Sequence, residues 1–439
     1  MRLNKMKFYI WGLGAVGYSF LQKLKENGLF NPELFFCVEP IKKRKDLFVS
    51  LGGFESHFIN ERITKDNYLR LLKTLKKGDY LLDFATDIKN LDILEYCLQN
   101  GIHYLSTADS SWNPDPSWIS DHQHYLEYLK LKNKYSSSKA TSIVLFGMNP
   151  GLVSCFAKLC LREIIEKDNG RYVKKNRNKL RELIDRGSFS LAAKKLGITD
   201  IQEVDYDDHI VNIPYESGTL YSTWNCQAYY YETISAPEIA LGNKRDYFKY
   251  NKVYDCDFKD LYIGLFKSGF EYKESTCSPQ GKVDGHLSTH EEIFMLRRLF
   301  TYKRYKPAVH FVYAPCPYAI RSVEENSLNY PKKMHLIQKN EIVSGGESVG
   351  IILQGKKFKT RYYGNYLKNE ETDEVATITQ VSAGAYAAFK YMLNHRDLGL
   401  LFPEELDELE IMKYASKYLK SFASFECEKI PMNLGRGVD

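Results

Sequence analysis

Three glycines carry the first chemistry in this chain. Gly12, Gly14 and Gly17 form G-x-G-x-x-G, directly after the apolar run 6–11 and before a stretch, 15–27, with helical spacing. A strand before the glycines and a helix after them is the context a dinucleotide-binding turn requires. The first glycine permits the tight turn, the second lets backbone approach a pyrophosphate, and the third allows close helix–strand packing. The pyrophosphate rests on the helix N-terminus, where free N–H groups point outward; Ala15 and Val16 complete that surface. Glu39 lies 22 residues beyond Gly17, at the end of the apolar run 34–38. An acid there can accept hydrogen bonds from ribose hydroxyls, which favours NAD. Lys42, Lys43, Arg44 and Lys45 follow it and could hold a 2′-phosphate or form a solvated helix start. Glu39 would repel that phosphate, so NAD is expected over NADP.

Other candidates follow the ends of later apolar runs. Asp83 and Asp87 end or follow the run 80–85, and loops at the carboxyl ends of parallel strands face the cofactor crevice. Asp87 is a site candidate and equally a helix N-cap before Leu91. Asn149, between Gly147 and Pro150–Gly151, is either a turn residue or a contact to substrate or nicotinamide. Asp205, Asp207, Asp208 and His209 form an acidic patch of the kind that is usually a solvated turn. Trp224 opens a segment that closes with three tyrosines and Glu232, for which an edge-strand position is one reading. His286 and His290 would need a third ligand, such as Glu291 or Glu292, to hold a metal, and no H-E-x-x-H supports it, so no metal is expected. A histidine at a strand-to-helix junction can instead act as general base. His310 reads as a structural strand residue.

The elements that must position these residues change character along the chain. Apolar runs at 6–11, 34–38, 56–59, 80–85, 102–106 and 142–146 read as strands. Helices are expected at 15–27, 67–77 and 91–99, with Gly28 and Gly101 as stops. Such alternation argues for a doubly wound parallel sheet. A helix follows at 152–165, then a Lys/Arg-rich solvated face at 166–187. From 200 to 384 short apolar runs with many Tyr, Thr and Gly suggest an antiparallel sheet, and 382–393 and 404–419 read as helices. Residues 190–199 imitate the core of a helix-turn-helix.

Composition narrows the classes. The 439 residues suggest about two or three domains. Hydrophobic residues at 44% and charged residues at 26% exclude a disordered or collagen-like chain. A net charge of +6 is too mild for a protein that coats nucleic acid. The 33 Tyr and 24 Phe could line pockets or form a Tyr-rich core. No apolar run is long enough to span a membrane. The nine cysteines are scattered with no C-x-x-C, as expected of reduced thiols in the cytosol. The basic start before an apolar stretch imitates a secretion signal, but a strand, turn and helix explain the glycines and a signal does not.

Taken in order, GLGAVG at 12–17, GMNPGLVS at 147–154, STWNCQAYYYE at 222–232, GHLSTHEE at 285–292 and HFVYAPCPYA at 310–319 resemble the bacterial homospermidine synthase family, of the saccharopine dehydrogenase-like superfamily. The resemblance covers essentially the whole chain. It implies an α/β fold: a Rossmann-type NAD domain at 1–150 and an α+β substrate and dimerisation domain with a mainly antiparallel sheet at 151–384. C-terminal helices at 385–439 would pack back on the NAD domain. The implied protein is a cytoplasmic homodimer that makes homospermidine from two putrescines, releases ammonia and retains NAD, without nucleic-acid or membrane partners. By position, the family's substrate-site Asp, Asn, Trp, Glu and His fall on Asp87, Asn149, Trp224, Glu232 and His290. Asp205 stands where the family has a further glutamate, and Glu291 where it has an asparagine. Glu232 or His290 would take a proton from the reacting amine, with Asn149 beside them in the catalytic set. Asp87, Asp205, Trp224 and Glu232 would bind the substrate. Two readings compete: a saccharopine- or carboxyspermidine-type dehydrogenase, whose substrate carboxylate would need Arg or Lys such as Arg321 or Arg361, and a non-catalytic NAD-binding protein.

Overall fold

A computed structural model describes residues 6–112, 120–243 and 253–430. The basic start at 1–5 and residues 431–439 of the expected C-terminal segment lie outside them. The chain forms two compact units.

The first unit comprises residues 1–119, 124–152 and 378–418. Its sheet contains β1 (Phe8–Trp11), β2 (Phe35–Val38), β3 (Phe58–Ile59), β4 (Tyr80–Asp83), β5 (His103–Ser106), β6 (Ser142–Ile143) and, far later in the chain, β20 (Leu400–Leu401). The order is β20-β6-β5-β4-β1-β2-β3, and every pairing is parallel. This is the expected doubly wound sheet, with strand order reversing at β1. All residues of β1, β4 and β5 are buried, as required where both faces of a parallel sheet are covered.

Some expected elements are shorter. Of 56–59 only Phe58–Ile59 pairs as strand, because Glu55–His57 forms a 3₁₀ turn. The helix expected at 67–77 is confined to Tyr68–Leu72, and Leu145, at φ +57°, lies beyond the short β6. The helix expected from Glu404 starts at Glu408, after a 3₁₀ turn opened by Pro403.

The second unit comprises residues 120–123, 153–377 and 419–439. Its strands are β7 (Ile198–Asp207), β8 (Ile210–Val211), β9 (Thr219–Ser222), β10 (Glu238–Ala240), β11 (Val253–Asp257), β12 (Tyr262–Leu265), β13 (Lys273–Ser278), β14 (Gly281–Ser288), β15 (Ala308–Ala314), β16 (Lys333–Leu336), β17 (Ile342–Ser344), β18 (Gly346–Gly355), β19 (Arg361–Lys368) and β21 (Phe422–Glu426). Ten of them form one sheet, in the order β11-β12-β10-β15-β7-β18-β19-β21, with β14 also on β15 and β13 on β14. Two small pairs, β8 with β17 and β9 with β16, stand apart. Within the large sheet β7 and β15 are parallel and the other pairs antiparallel. The Lys/Arg-rich stretch is largely the helix Arg171–Asp185, which buries Val173, Leu180 and Ile184.

The two faces of β7 have different chemistry. Pairing with β15 and β18 is unbroken from Asp200 to Tyr206, so side chains alternate strictly. One face carries Val204, which packs with Ile352, Tyr362 and Cys277 in an apolar cluster, and Gln202, whose amide meets His310 Nε2 at 3.0 Å. His310 is therefore built into the sheet on that side. The other face carries Glu203, Asp205 and Asp207.

Candidate active site

In the first unit the three glycines differ in what surrounds them. Gly12 has φ +83°, and a Cβ there would fall 2.6 Å from the Phe84 carbonyl oxygen. A Cβ on Gly17 would fall 2.4 Å from the Gly12 carbonyl oxygen. At Gly14 a Cβ would meet only Arg44 Nη1, at 4.0 Å. Two glycines thus let the chain pack on itself, and the third leaves backbone open at the start of the helix Ala15–Glu26. That opening is where a pyrophosphate approaches such a turn. Glu39, buried at the end of β2, accepts from Leu13 N at 2.7 Å, Ile41 N at 2.9 Å and Arg44 Nη1 at 3.1 Å. These residues fit a dinucleotide: an open amide cradle after β1, and an acid at the carboxyl end of the neighbouring β2.

Asp87 and Asn149 also belong to this unit, in the segments following β4 and β6. Asp87 is half-buried at φ +60°, 3.9 Å from the exposed Arg62. The Asn149 Oδ1 atom is buried without a protein hydrogen-bond partner. The turn is closed by Gly147 N donating to the Pro150 carbonyl at 2.7 Å. Asp83 ends β4, fully enclosed, and accepts from Tyr104 Oη at 2.7 Å and Asn90 Nδ2 at 3.1 Å. Burial pushes its carboxyl up to about 7.

The other substrate-site candidates, Asp205, Trp224, Glu232 and His290, all lie in the second unit. Trp224 and Glu232 flank or occupy the helix Cys226–Ile234, a correction to the edge-strand reading. Three consecutive tyrosines favour strand, but Asn225 Oδ1 accepts from the N–H groups of Gln227 and Ala228, both at 3.0 Å, and so caps a helix. Trp224 Nε1 donates to Tyr313 Oη at 3.3 Å. Tyr313 sits on β15 in register with Asp205 on β7. Burial, with the Asp205, Glu347 and Asp207 carboxylates, holds the Tyr313 phenol well above its usual range. The tyrosine thus keeps its proton.

Glu232 is pushed well above the carboxylate range, first by burial, then by Asp205 and Asp121. Asp121, at the start of the helix Asp121–Lys134, accepts a hydrogen bond from Thr289 Oγ1. His290 lies between β14 and the helix Glu292–Phe300, the junction expected of it. Its Nδ1 is 3.5 Å from Glu292 N and 3.7 Å from Glu291 Oε2. Burial lowers it to about 3, so the ring is neutral.

The acidic patch is not a solvated turn. Asp207 is buried, and its Oδ1 meets His209 Nδ1 at 2.7 Å while Thr223 Oγ1 donates to its Oδ2 at 2.7 Å. Glu347 pairs opposite Asp207 on β18 and accepts from Thr377 Oγ1 at 2.6 Å. Asp207, His209 and Glu347 offer ligand atoms within 4.8 Å of one another; His286 and His290 are not in that group. Glu203, Glu347 and Asp121 therefore join the expected residues, and Glu292, first considered only as a metal ligand, acts on Glu203. For Glu203 a signal was present: Glu203, Asp205 and Asp207 recur every second residue, the period of a strand face. Glu347 and Asp121 have no comparable local cue.

Arg321 and Arg361 are engaged elsewhere. Arg321 stacks over Tyr215 at 3.8 Å and pairs with Glu325 at 2.8 Å. Arg361 donates to Ser424 Oγ at 3.2 Å and lies 3.7 Å from Glu426.

The chain is similar to known proteins over nearly its whole length. Residues 8–143 match the saccharopine dehydrogenase NADP binding domain family. The homospermidine synthase of Mesorhizobium japonicum is 23% identical over 452 residues, covering 97% of this chain and 91% of the relative. That of Blastochloris viridis is 24% identical over 432 residues, covering 93% and 88%. The crystal structure of homospermidine synthase from Legionella pneumophila, in complex with NAD, superposes with a TM-score of 0.84 at 26% identity, covering 99% of this chain and 94% of that one. Saccharopine dehydrogenase from Saccharomyces cerevisiae, at 10% identity and a TM-score of 0.53, shares the fold.

Proposed function

We propose that this chain, similar to homospermidine synthases over nearly its whole length, condenses two putrescines into homospermidine and ammonia with NAD retained throughout. The observation that carries this reading is the convergence of carboxylates in the second unit. The charged groups acting most strongly on Glu203, Glu232 and Glu347 are all carboxylates. Such a site selects cations. A dehydrogenase acting on an amino acid would need a basic partner for its substrate carboxylate, and Arg321 and Arg361 are committed to other acids. The aminoalkyl-transfer reading is therefore favoured over the dehydrogenase reading.

Gly12, Gly14, Ala15, Val16, Gly17 and Glu39 would hold NAD, which supplies a hydride acceptor at the amine-bearing carbon and later a donor, so that carbon passes through an imine with no net oxidation. The chain's own residues manage charge and protons. Putrescine ammonium groups resemble that of lysine, with pKa ~10.4, and the reacting one must be deprotonated. Glu232 is the better acceptor: burial first, and then the Asp205 and Asp121 carboxylates, raise its proton affinity, whereas His290, at about 3, binds a proton weakly. An arriving ammonium restores the ionised form of Glu232, since an opposite charge nearby favours it. Neutral His290 then serves as a hydrogen-bonding partner. Asp205 binds an ammonium group, and Trp224 offers its ring face to a cation. Asp87 and Asn149 carry the substrate contacts that the family resemblance implies for them.

The same reading makes the protein a cytoplasmic homodimer acting on small polyamines, with no nucleic-acid or membrane partner. All nine cysteines are unbridged, and no helix among the described residues is long and apolar enough to cross a membrane. The decisive assay is purified chain with putrescine and catalytic NAD+. Homospermidine and ammonia should form without net NADH. Stoichiometric NADH would mean a dehydrogenase, and no turnover a binding protein.

A further inference from the structure

Glu203 has an unusual position. Its residue is completely buried, and neither carboxylate oxygen has a hydrogen-bond partner. Buried polar groups are otherwise satisfied almost without exception, so an orphaned one calls for a ligand, ion or water. Its register partners are Phe311 on β15 and Ile351 on β18, neither of which can serve it. The charged groups acting on it are Glu292, Asp205, Glu291 and Glu232, in that order. Glu203 therefore faces the acidic site, one strand repeat from Asp205 and two from Asp207. The far end of this row is braced: His209 and Thr223 hold Asp207, and Glu347 stands opposite. The Glu203 end is not.

We propose that Glu203 seats an additional ammonium, so that the row Glu203–Asp205–Asp207 recognises linear polyamines whose nitrogens are separated by four carbons. This rests on the function proposed above and extends it to the substrate and product class. The argument is one of pitch. Same-face residues on a strand repeat every ~6.7 Å. Standard bond lengths place the nitrogens of an extended aminobutyl unit about 6 Å apart, and those of an aminopropyl unit about 5 Å. Over two units a four-carbon triamine stays within about 1 Å of the three-carboxylate row, whereas a three-carbon triamine falls short by about 3 Å, enough to lose one charge-assisted hydrogen bond.

The test is calorimetric titration of the full chain, loaded with NAD+, with homospermidine, norspermidine (its three-carbon analogue) and putrescine. Wild type should bind homospermidine at least tenfold more tightly than norspermidine. Glu203→Gln should reduce that ratio below threefold, with homospermidine losing at least tenfold and putrescine less than threefold. Glu203→Leu, which places an apolar side chain in the same buried position, should do the same and guards against a folding defect in either variant. Equal binding of the two triamines by wild type, or an unchanged ratio in a folded variant, overturns the proposal. Turnover of putrescine is measured in parallel. If it occurs while the ratio test fails, the reaction stands without this seat; if it is absent while the ratio holds, the seat stands without the reaction.

Discussion

Glu39 Oε2 accepts the backbone N–H of Leu13 at 2.7 Å, so the acid that ends β2 also braces the glycine turn that follows β1. Its other oxygen holds Arg44 at 3.1 Å. Glu39→Ala removes the ribose acceptor and releases a guanidinium, whose planar donors suit a phosphate. NAD+ affinity should fall about tenfold, the scale of one charge-assisted hydrogen bond, and NADP+ affinity should fall less or rise. Titration with both cofactors decides; equal losses would remove the ribose assignment.

The glycine turn separates stability from binding. Gly17→Ala drives a methyl into the Gly12 carbonyl oxygen at 2.4 Å, an overpacking worth about 1–3 kcal/mol. Gly14→Ala meets nothing nearer than 4.0 Å and sits at an ordinary φ of −69°. Thermal unfolding should show Gly17→Ala clearly destabilised and Gly14→Ala close to wild type. NAD+ titration should show Gly14→Ala weakened at least tenfold. Retained affinity in Gly14→Ala would place the pyrophosphate elsewhere.

These glycines explain why the first unit was legible. Each carries a local reason for its type, and the apolar run before them is a fully buried strand. In the second unit the decisive contacts are non-local. Tyr229, Tyr230 and Tyr231 suggest strand, yet the Asn225 cap and the packing around Tyr229 make a helix. Asp207 looks like a turn residue until β18 brings Glu347 opposite it, 140 positions later in the chain. The alternation Glu203, Asp205, Asp207 was readable, but only a strand buried on both sides turns it into a row of carboxylates on one face. Asp121 reaches the site from a segment with no motif of its own.

Trp224 is fixed by its bond to Tyr313, and under the proposed function its ring takes a cation. A desolvated cation–π contact contributes ~2 kcal/mol, or about 30-fold in affinity. Trp224→Phe keeps a weaker ring face and should retain partial activity, whereas Trp224→Ala should raise the KM for putrescine by about 30-fold. Tyr313→Phe removes the bond that orients the indole and should give a smaller rise. Wild-type kinetics in Trp224→Ala would exclude the contact.

Asp83 gives a stability signature independent of turnover. Its carboxyl is raised from an ordinary value of 3.8 to about 7, chiefly by burial, against the opposing hydrogen bonds from Tyr104, Ala85 and Asn90. The folded state therefore binds more protons than the unfolded state between about pH 4 and 7. The sign follows from linkage: stability falls as pH rises wherever the folded state holds the extra proton, by up to ~1.4 kcal/mol per pH unit for one group. This contribution is full below pH 4 and is lost as pH rises through 7. Asp83→Asn lacks the titration. Unfolding temperatures measured from pH 5 to 8 should show wild type losing ground steadily to Asp83→Asn, with the loss levelling off above pH 7. A constant gap across the range would mean that Asp83 is ionised throughout, and that its bonds from Tyr104 and Asn90 outweigh its burial.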